Sequence, residues 1–435
     1  MSYIGFIGFL MMVLIMVLLV KKKISTLFAF TIIPIIGAFL VGASVSEVCG
    51  YVKKGLGLTL EITMIMFFSL PYFSLMNETG LFDDMVRKLM KGRKLTPTML
   101  CIITVLVSCI TELDGSVTST FMITIPLLLP LYKKLKINPK VLVFLCTISM
   151  VIMFNTPWNA RVLRAASLLP EVTNPANFVF LKILPLQAIL AIVMLITAYM
   201  IGKKFEKNNL NLENVSSNEG DTEHVLSKSE LNRPHLFWFN LGLTAVLIVL
   251  MSILPIPSYF IFALGLIIGM MVNYRDLNLQ NKLLSKYAAA LFPTAPAVLL
   301  SGVVAGVLQE SGMLAEMVKS LTLIIPPVLG PYIHIIIGFL AVPLMLIFTN
   351  DTWYYAFVPI IAAVAENYGV PREMVILTLM MNMGAMISPV AQPQLYLACD
   401  LAEVDLADHI RYSFVPLVII NSIWMLSGML LGMFL

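Results

Sequence analysis

The sequence predicts an all-α polytopic membrane protein made of two inverted repeats of five spans, each with a re-entrant hairpin and a proline-broken helix. Three observations carry this expectation. First, 59% of the 435 residues are hydrophobic and 12% are charged. The mean hydropathy of +0.94 lies far outside the range of soluble domains. Second, two short polar islands, Thr111 to Thr120 and Thr349 to Thr352, are set inside long apolar runs. Third, one register relates the halves: Glu78-Thr79-Gly80 recurs as Glu310-Ser311-Gly312 (310 − 78 = 232), Pro139 as Pro371 (371 − 139 = 232) and Thr156-Pro157 as Ser388-Pro389 (389 − 157 = 232).

Taking apolar runs of about 17 to 25 residues as spans, the first half holds helices near 4–20, 24–46, 59–77, 140–168 and 178–202. Lys21, Lys22 and Lys23 follow the first run at once, and neither a basic leader nor a small-residue cleavage site is present, so that run is a retained span. Residues 97–132 are too long for one span and too short for two with a loop, which suits a hairpin entering and leaving on one side. The second half repeats the plan at 236–254, 258–273, 286–309, 371–402 and 410–434, with a hairpin near 328–366. Repeats of 1–202 and 236–435 therefore flank a linker, 203–235, whose Asn-, Ser- and Glu-rich stretch predicts a solvated, poorly ordered segment.

A hairpin does not cross, so each half has five crossings, and the odd count inverts one half relative to the other. Lysines and arginines of the first half gather on one side, at 21–23, 87–94, 133–140 and 203–207, against Lys53 and Lys54 on the other. The positive-inside rule makes the rich side cytoplasmic, with both termini outside and the linker inside. Phe82, Met85, Val86, Leu89 and Met90 recur at helical spacing, as do Leu314, Met317, Val318 and Leu321. Both stretches are too short to span, so they predict helices lying along the interface as connectors or arms.

The islands hold the candidate chemistry. Carboxylates and a helix-breaking glycine at membrane depth cost several kcal/mol unless they line a wet cavity or a ligand. The first runs Thr111, Glu112, Leu113, Asp114, Gly115, Ser116, Val117, Thr118, Ser119, Thr120; the second contains Asn350, Asp351 and Thr352. A buried hairpin tip points the N–H groups of its returning helix at an anion. The hydroxyls of Ser116, Thr118, Ser119, Thr120 and Thr352 add donors, which fits a carboxylate-bearing substrate. Glu112, Asp114 and Asp351 are candidate ligands for a metal or coupling cation, or proton carriers; a capping role for each is the alternative.

Partnering each hairpin is a span broken by proline, at Asn155-Thr156-Pro157-Trp158 and at Ser388-Pro389-Val390-Ala391-Gln392-Pro393. Proline frees carbonyls that a membrane tolerates only when they are buried or line a site, although a simple kink is the plainer reading. Arg161 and Arg164 either pair with a substrate carboxylate or snorkel to the outer interface. Glu61 and His334 read as paired structural groups, the methionines as packing, and the five cysteines, without CxxC spacing, as small core residues. The basic residues sit in short loops, which points away from nucleic acid. Neither GxxxxGK[ST] nor HExxH occurs, so ATP-driven transport and metalloprotease chemistry lack support.

Two inverted halves with hairpins and broken helices resemble the ion transporter superfamily, to which the divalent-anion sodium symporters belong. Leu113-Asp114-Gly115 with Thr118 to Thr120, and Pro126-Leu127-Leu128-Leu129-Pro130-Leu131-Tyr132-Lys133 after them, resemble the citrate-metal-proton symporter family. So do Pro157-Trp158 with Arg164-Ala165-Ala166-Ser167, Asn350-Asp351 with Tyr354, Tyr355 and Pro359, and Ser388-Pro389 with Asp405-Leu406-Ala407-Asp408-His409. The chain departs from the family where Asn159-Ala160-Arg161-Val162 replaces a Gly-Gly-Pro-Thr run and where Ala385-Met386 replaces a His-Pro ahead of the second Ser-Pro. The resemblance implies a transport part at 97–168 and 328–402, a dimerising scaffold in the rest, and elevator motion with the interfacial arms rotating. It implies a bacterial cell-membrane symporter, not an enzyme, for a di- or tricarboxylate. Citrate is the expected substrate, free or complexed with Mg or Ca, coupled to protons or Na. A cation/proton antiporter and a passive channel are the rival readings.

Overall fold

The computed structural model describes residues 2–21, 23–90, 94–208, 215–216, 230–253, 256–292, 295–323 and 325–435. The first half consists of α1 (Tyr3–Val20), α2 (Thr26–Leu40), α3 (Val45–Glu78), α4 (Leu81–Met90), α5 (Pro97–Thr111), α6 (Val117–Lys134), α7 (Pro139–Met153), α8 (Ala160–Ala166) and α9 (Pro175–Asn208). The second consists of α10 (Phe237–Ile253), α11 (Ser258–Asn273), α12 (Leu277–Leu291), α13 (Ala295–Glu310), α14 (Met313–Thr322), α15 (Ile333–Leu344), α16 (Asn350–Thr352), α17 (Val358–Asn367), α18 (Arg372–Leu379), α19 (Leu395–Leu401) and α20 (Leu406–Leu430). Strand pairing among the described residues is confined to Lys94–Leu95 against Val215–Ser216.

Elements recur at the register read from the sequence: α11 begins 232 residues after α2 (258 − 26), α12 after α3 (277 − 45) and α14 after α4 (313 − 81). α3 is longer than its apolar run of 59–77, because Ser44 and Glu47 form a reciprocal N-terminal cap: the Ser44 N–H donates to Glu47 Oε2 at 2.8 Å, and Glu47 N–H donates back to Ser44 Oγ. Such a cap satisfies two otherwise orphaned helix donors and extends the helix through the polar Lys53 and Lys54. α9 likewise runs past 202 to Asn208. Of the rest of the stretch expected to be poorly ordered, residues 209–214 and 217–229 lie outside the described residues, while 215–216 pair with 94–95 and 231–233 are held by hydrogen bonds to Thr79, Asn273 and Tyr274.

Among the described residues five helices are long and apolar enough to cross a membrane: Val45–Glu78, Pro97–Asp114, Pro175–Lys207, Pro234–Met251 and Leu406–Leu430. Ala295–Glu310 with Met313–Leu321 would make a sixth but is bent by 72°. The protein is an integral membrane protein. The first limb of the expected hairpin, Pro97–Asp114, is thus long enough to span by itself, while its partner α6 packs back against it.

α3 packs along α13 more extensively than any other pair. Gly55 and Gly302 meet there so closely that a β-carbon on Gly55 would lie 2.0 Å from the Gly302 carbonyl oxygen. Lys54 near the start of α3 pairs with Glu310 at the end of α13 at 2.6 Å, and Lys286 on α12 pairs with Glu78 at the end of α3. The two pairs are reciprocal, because 286 − 54 = 232 and 310 − 78 = 232. Each half's lysine therefore reaches the other half's glutamate. α4 and α14, the expected interfacial helices, leave α3 and α13 through Gly80 and Gly312, both in the left-handed region at φ 79° and 77°.

Candidate functional site

α5 ends at Thr111, and Glu112–Asp114 continue as a single 3-10 turn closed by Gly115 at φ 72°. A residue with a β-carbon is strained in that conformation, so glycine fixes the reversal. Asp114 Oδ1 then accepts the Ser116 N–H at 2.8 Å, and Ser116 Oγ accepts the Ser119 N–H to cap α6. Glu112 is buried; its Oε2 accepts from Thr120 Oγ1 at 2.8 Å, and its Oε1 has no hydrogen-bond partner among the described residues.

The first broken helix docks on this tip. Between α7 and α8, Trp158 Nε1 donates to the Leu113 carbonyl at 3.0 Å, and Asn159 Oδ1 accepts the Arg161 N–H to start α8. Thr156 Oγ1 turns back to the Met153 carbonyl, and Asn155 is fully buried with both side-chain polar atoms unpartnered among the described residues.

At the second tip Thr349 Oγ1 accepts the Thr352 N–H at 3.1 Å, and the chain returns through a π-helical stretch, Trp353–Phe357, into α17. Asn350 stitches the tip to the second break: its Nδ2 donates to the Ala391 carbonyl at 3.0 Å and its Oδ1 accepts from Asn382 at 2.9 Å. Trp353 and Tyr354 donate to the carbonyls of Leu379 and Met380, the groups freed where α18 stops. Ser388 Oγ accepts the Ala391 N–H within this break.

Both tips and both breaks open onto one cavity of about 520 Å³. Asp114, Gly115, Ser116, Thr118, Arg161, Arg164, Asn350 and Asp351 line it. Glu112, Ser119, Thr120, Asn155, Thr156, Pro157, Thr352, Ser388 and Pro389 stand behind these residues rather than on the wall; Ser119, for instance, accepts from Asn77 on α3. The wall also carries polar residues that the sequence reading did not propose as ligands: Asn159, Thr349, Tyr354 and Gln392, which it named only as parts of the islands, breaks and family patterns, and Gln394, Ser74 and Tyr287, which it did not name. Carboxamides inside a break were the available signal for Asn159, Gln392 and Gln394; Ser74 and Tyr287 lie outside every polar island and had none.

Charge in the cavity is unevenly matched. Arg164 Nε donates to Asp351 Oδ1 at 3.0 Å, so those two charges answer one another. Arg161 lies over the Phe154 ring, 4.4 Å from its centroid, and reaches Met381 Sδ at 3.5 Å, with no carboxylate partner among the described residues. Neither arginine snorkels outward: Arg161 is 5% exposed and both face the cavity. No group of three His, Cys, Asp or Glu side chains converges among the described residues, so Glu112, Asp114 and Asp351 do not form a protein-only metal cage.

Comparison with known proteins follows the same lines. The model of the citrate transporter family matches residues 3–381. The chain is 28% identical over 431 residues to a citrate transporter of Bacillus subtilis (strain 168), covering 98% of each protein. It is 29% identical over 431 residues to the Mg(2+)/citrate complex secondary transporter of the same organism, covering 97% of this chain and 98% of that one. The fold is similar to that of the YdaH transporter of Alcanivorax borkumensis, with a TM-score of 0.59 at 14% identity over 91% of this chain and 88% of that one. On a family match that spans both hairpins and the first broken helix, the chain belongs to the citrate transporter family, whose members are transporters and not enzymes.

Proposed function

We propose that the protein is a secondary active transporter that carries citrate as a complex with a divalent metal, coupled to protons or sodium ions. One observation carries this reading: of the four charged side chains on the cavity wall, Arg164 and Asp351 are already paired, leaving Asp114 and Arg161 to face the substrate. Free citrate brings about three negative charges, and like charges repel strongly in a low-dielectric site. A metal–citrate complex presents both signs. Its carboxylate suits Arg161, and its hard cation suits the Asp114 carboxylate as an oxygen ligand. The Mg(2+)/citrate relative has the same substrate class by name.

The reciprocal Lys54–Glu310 and Lys286–Glu78 pairs support an inverted relation between the halves, and the lysine-rich loops of the first half support termini outside and a cytoplasmic linker. In that arrangement 97–168 and 328–402 form the moving part. The remaining helices form a scaffold that dimerises, and α4 and α14 are arms that rotate as the moving part travels. The cavity then faces the cytoplasm, since its scaffold wall comes from Leu70 and Ser74 in the part of α3 that leads to the inner Glu78 and from Tyr287 beside Lys286, the partner of Glu78. Thermal stability of the purified protein is the first test. Citrate with Mg²⁺ raises the melting temperature more than citrate in EDTA or Mg²⁺ alone, as a ligand that binds only the folded state must. Equal shifts with and without metal would overturn the metal-complex reading.

A further inference from the structure

The two elbows from which α4 and α14 leave their long helices match in backbone but not in surroundings. Gly80 and Gly312 have nearly the same φ, and Glu78 and Glu310 are anchored by reciprocal lysines. At Gly312 a β-carbon would meet nothing within 4 Å among the described residues, whereas at Gly80 it would lie 3.1 Å from the Asn232 side chain. The difference comes from the exit of the linker. Arg233 N–H donates to the Thr79 carbonyl at 2.8 Å, and Arg233 Nε donates to the Asn273 carbonyl at 3.0 Å. The guanidinium lies 4.8 Å from the Tyr274 ring centroid, and Tyr274 Oη donates back to the Leu231 carbonyl at 2.7 Å. Residues 231–233 are thus stitched on one side to the elbow of the first arm and on the other to the α11–α12 turn.

Carbonyls at a helix C-terminus need donors, and Thr79 obtains one from Arg233, whereas among the described residues no backbone N–H reaches the matching Ser311 carbonyl at the second elbow. An inverted repeat alone would treat both elbows alike. The contact also uses an arginine at once as hydrogen-bond donor and as cation over an aromatic ring, a combination that lysine cannot reproduce in full.

We propose that the Leu231–Arg233 segment is a state-dependent clamp on the first elbow, closed in the conformation described here and released when the first arm swings, so that the linker sets the balance between the two access states. The inference rests on the reading of α4 and α14 as rotating arms. Contacts made in one state and lost in the other stabilise the first by their differential free energy, so cutting them moves the population toward the second.

The test adds one reporter cysteine at a time to a Cys49→Ser background, which removes the exposed native thiol, with the background itself as the labelling blank, and labels with an impermeant maleimide in oriented proteoliposomes. Ser74→Cys lies on the cavity wall, and Ala305→Cys lies at the opposite end of the α3–α13 pair beside a small second cavity of about 50 Å³. Loss of a charge-assisted hydrogen bond together with a cation–π contact predicts that Arg233→Ala slows labelling at position 74 and speeds it at position 305, each by about tenfold. Arg233→Lys gives an intermediate shift. Tyr274→Phe, which removes only the bond to Leu231, moves both reporters in the same directions by less. If wild-type labelling at the two positions does not change in opposite senses when substrate or gradient is varied, the rotating-arm reading fails. If it does, and Arg233→Ala shifts neither reporter or speeds both, the clamp is overturned and the contact is only structural.

Discussion

Arg164 Nε lies 3.0 Å from Asp351 Oδ1 and joins the first broken helix to the tip of the second hairpin, across 187 positions of sequence. Both side chains are mostly withdrawn from water, at 16% and 23% exposure. Removing one partner leaves the other charge desolvated and unanswered. Arg164→Ala is therefore expected to cost about 2–4 kcal/mol. The double variant Arg164→Ala/Asp351→Ala should recover part of that loss, and a double-mutant cycle on thermal stability measures the coupling. Additive losses would mean that the pair contributes nothing as a pair.

Asp351 is also the candidate for coupling, since it faces the cavity from a hairpin tip. Asp351→Asn keeps the shape and removes the charge, so it should abolish uphill accumulation of citrate while the protein still folds and reaches the membrane. Wild-type accumulation in that variant would remove Asp351 from the mechanism.

Arg161 is the cavity arginine without a carboxylate partner among the described residues. Its loss should raise the KM for citrate by about ten- to a hundredfold, as expected when a charged hydrogen-bonding group to a carboxylate is removed. Thermal stability should change less than in Arg164→Ala, because Arg161 forms no ion pair among the described residues. Lysine at this position should restore the affinity only in part. An unchanged KM in Arg161→Ala would show that the substrate is held elsewhere.

Gly115 turns the first tip at φ 72°. Alanine there should cost about 1–2 kcal/mol and displace the Ser116 N–H from Asp114 Oδ1. Uptake should fall severalfold, and Gly115→Asn, which tolerates the left-handed region better, should be less impaired. Full uptake by Gly115→Ala would mean that the tip geometry is not needed for transport.

How much of this was legible in the sequence depends on the range of the interaction. The two islands stood out because Glu112, Asp114, Gly115 and Asp351 sit in apolar runs, and the structure brings both tips to one cavity. Helices α4 and α14 were legible from the helical spacing of apolar residues at Phe82 to Met90 and Leu314 to Leu321, and both form where expected. The extent of α3 was written in the Ser44-x-x-Glu47 pattern but was masked in hydropathy by Lys53 and Lys54. The second break is wider than its prolines suggested, because α18 stops at Leu379 and the chain resumes an α-helix only at Leu395. Trp353 and Tyr354 satisfy the carbonyls opened there, and that compensation is tertiary. Nothing local tells Arg164 to choose Asp351, or Tyr287 to reach the cavity.

The central claim, transport of citrate with a divalent metal, is tested most directly by initial-rate uptake of labelled citrate into proteoliposomes at fixed total citrate across a Mg²⁺ and EDTA titration. Wild-type uptake should follow the concentration of the metal–citrate complex and vanish in excess EDTA, and Asp114→Asn should weaken the metal dependence more than Arg161→Ala does. Undiminished uptake in excess EDTA, abolished by Arg161→Ala, would contradict the account and leave free citrate held by arginine as the transported species.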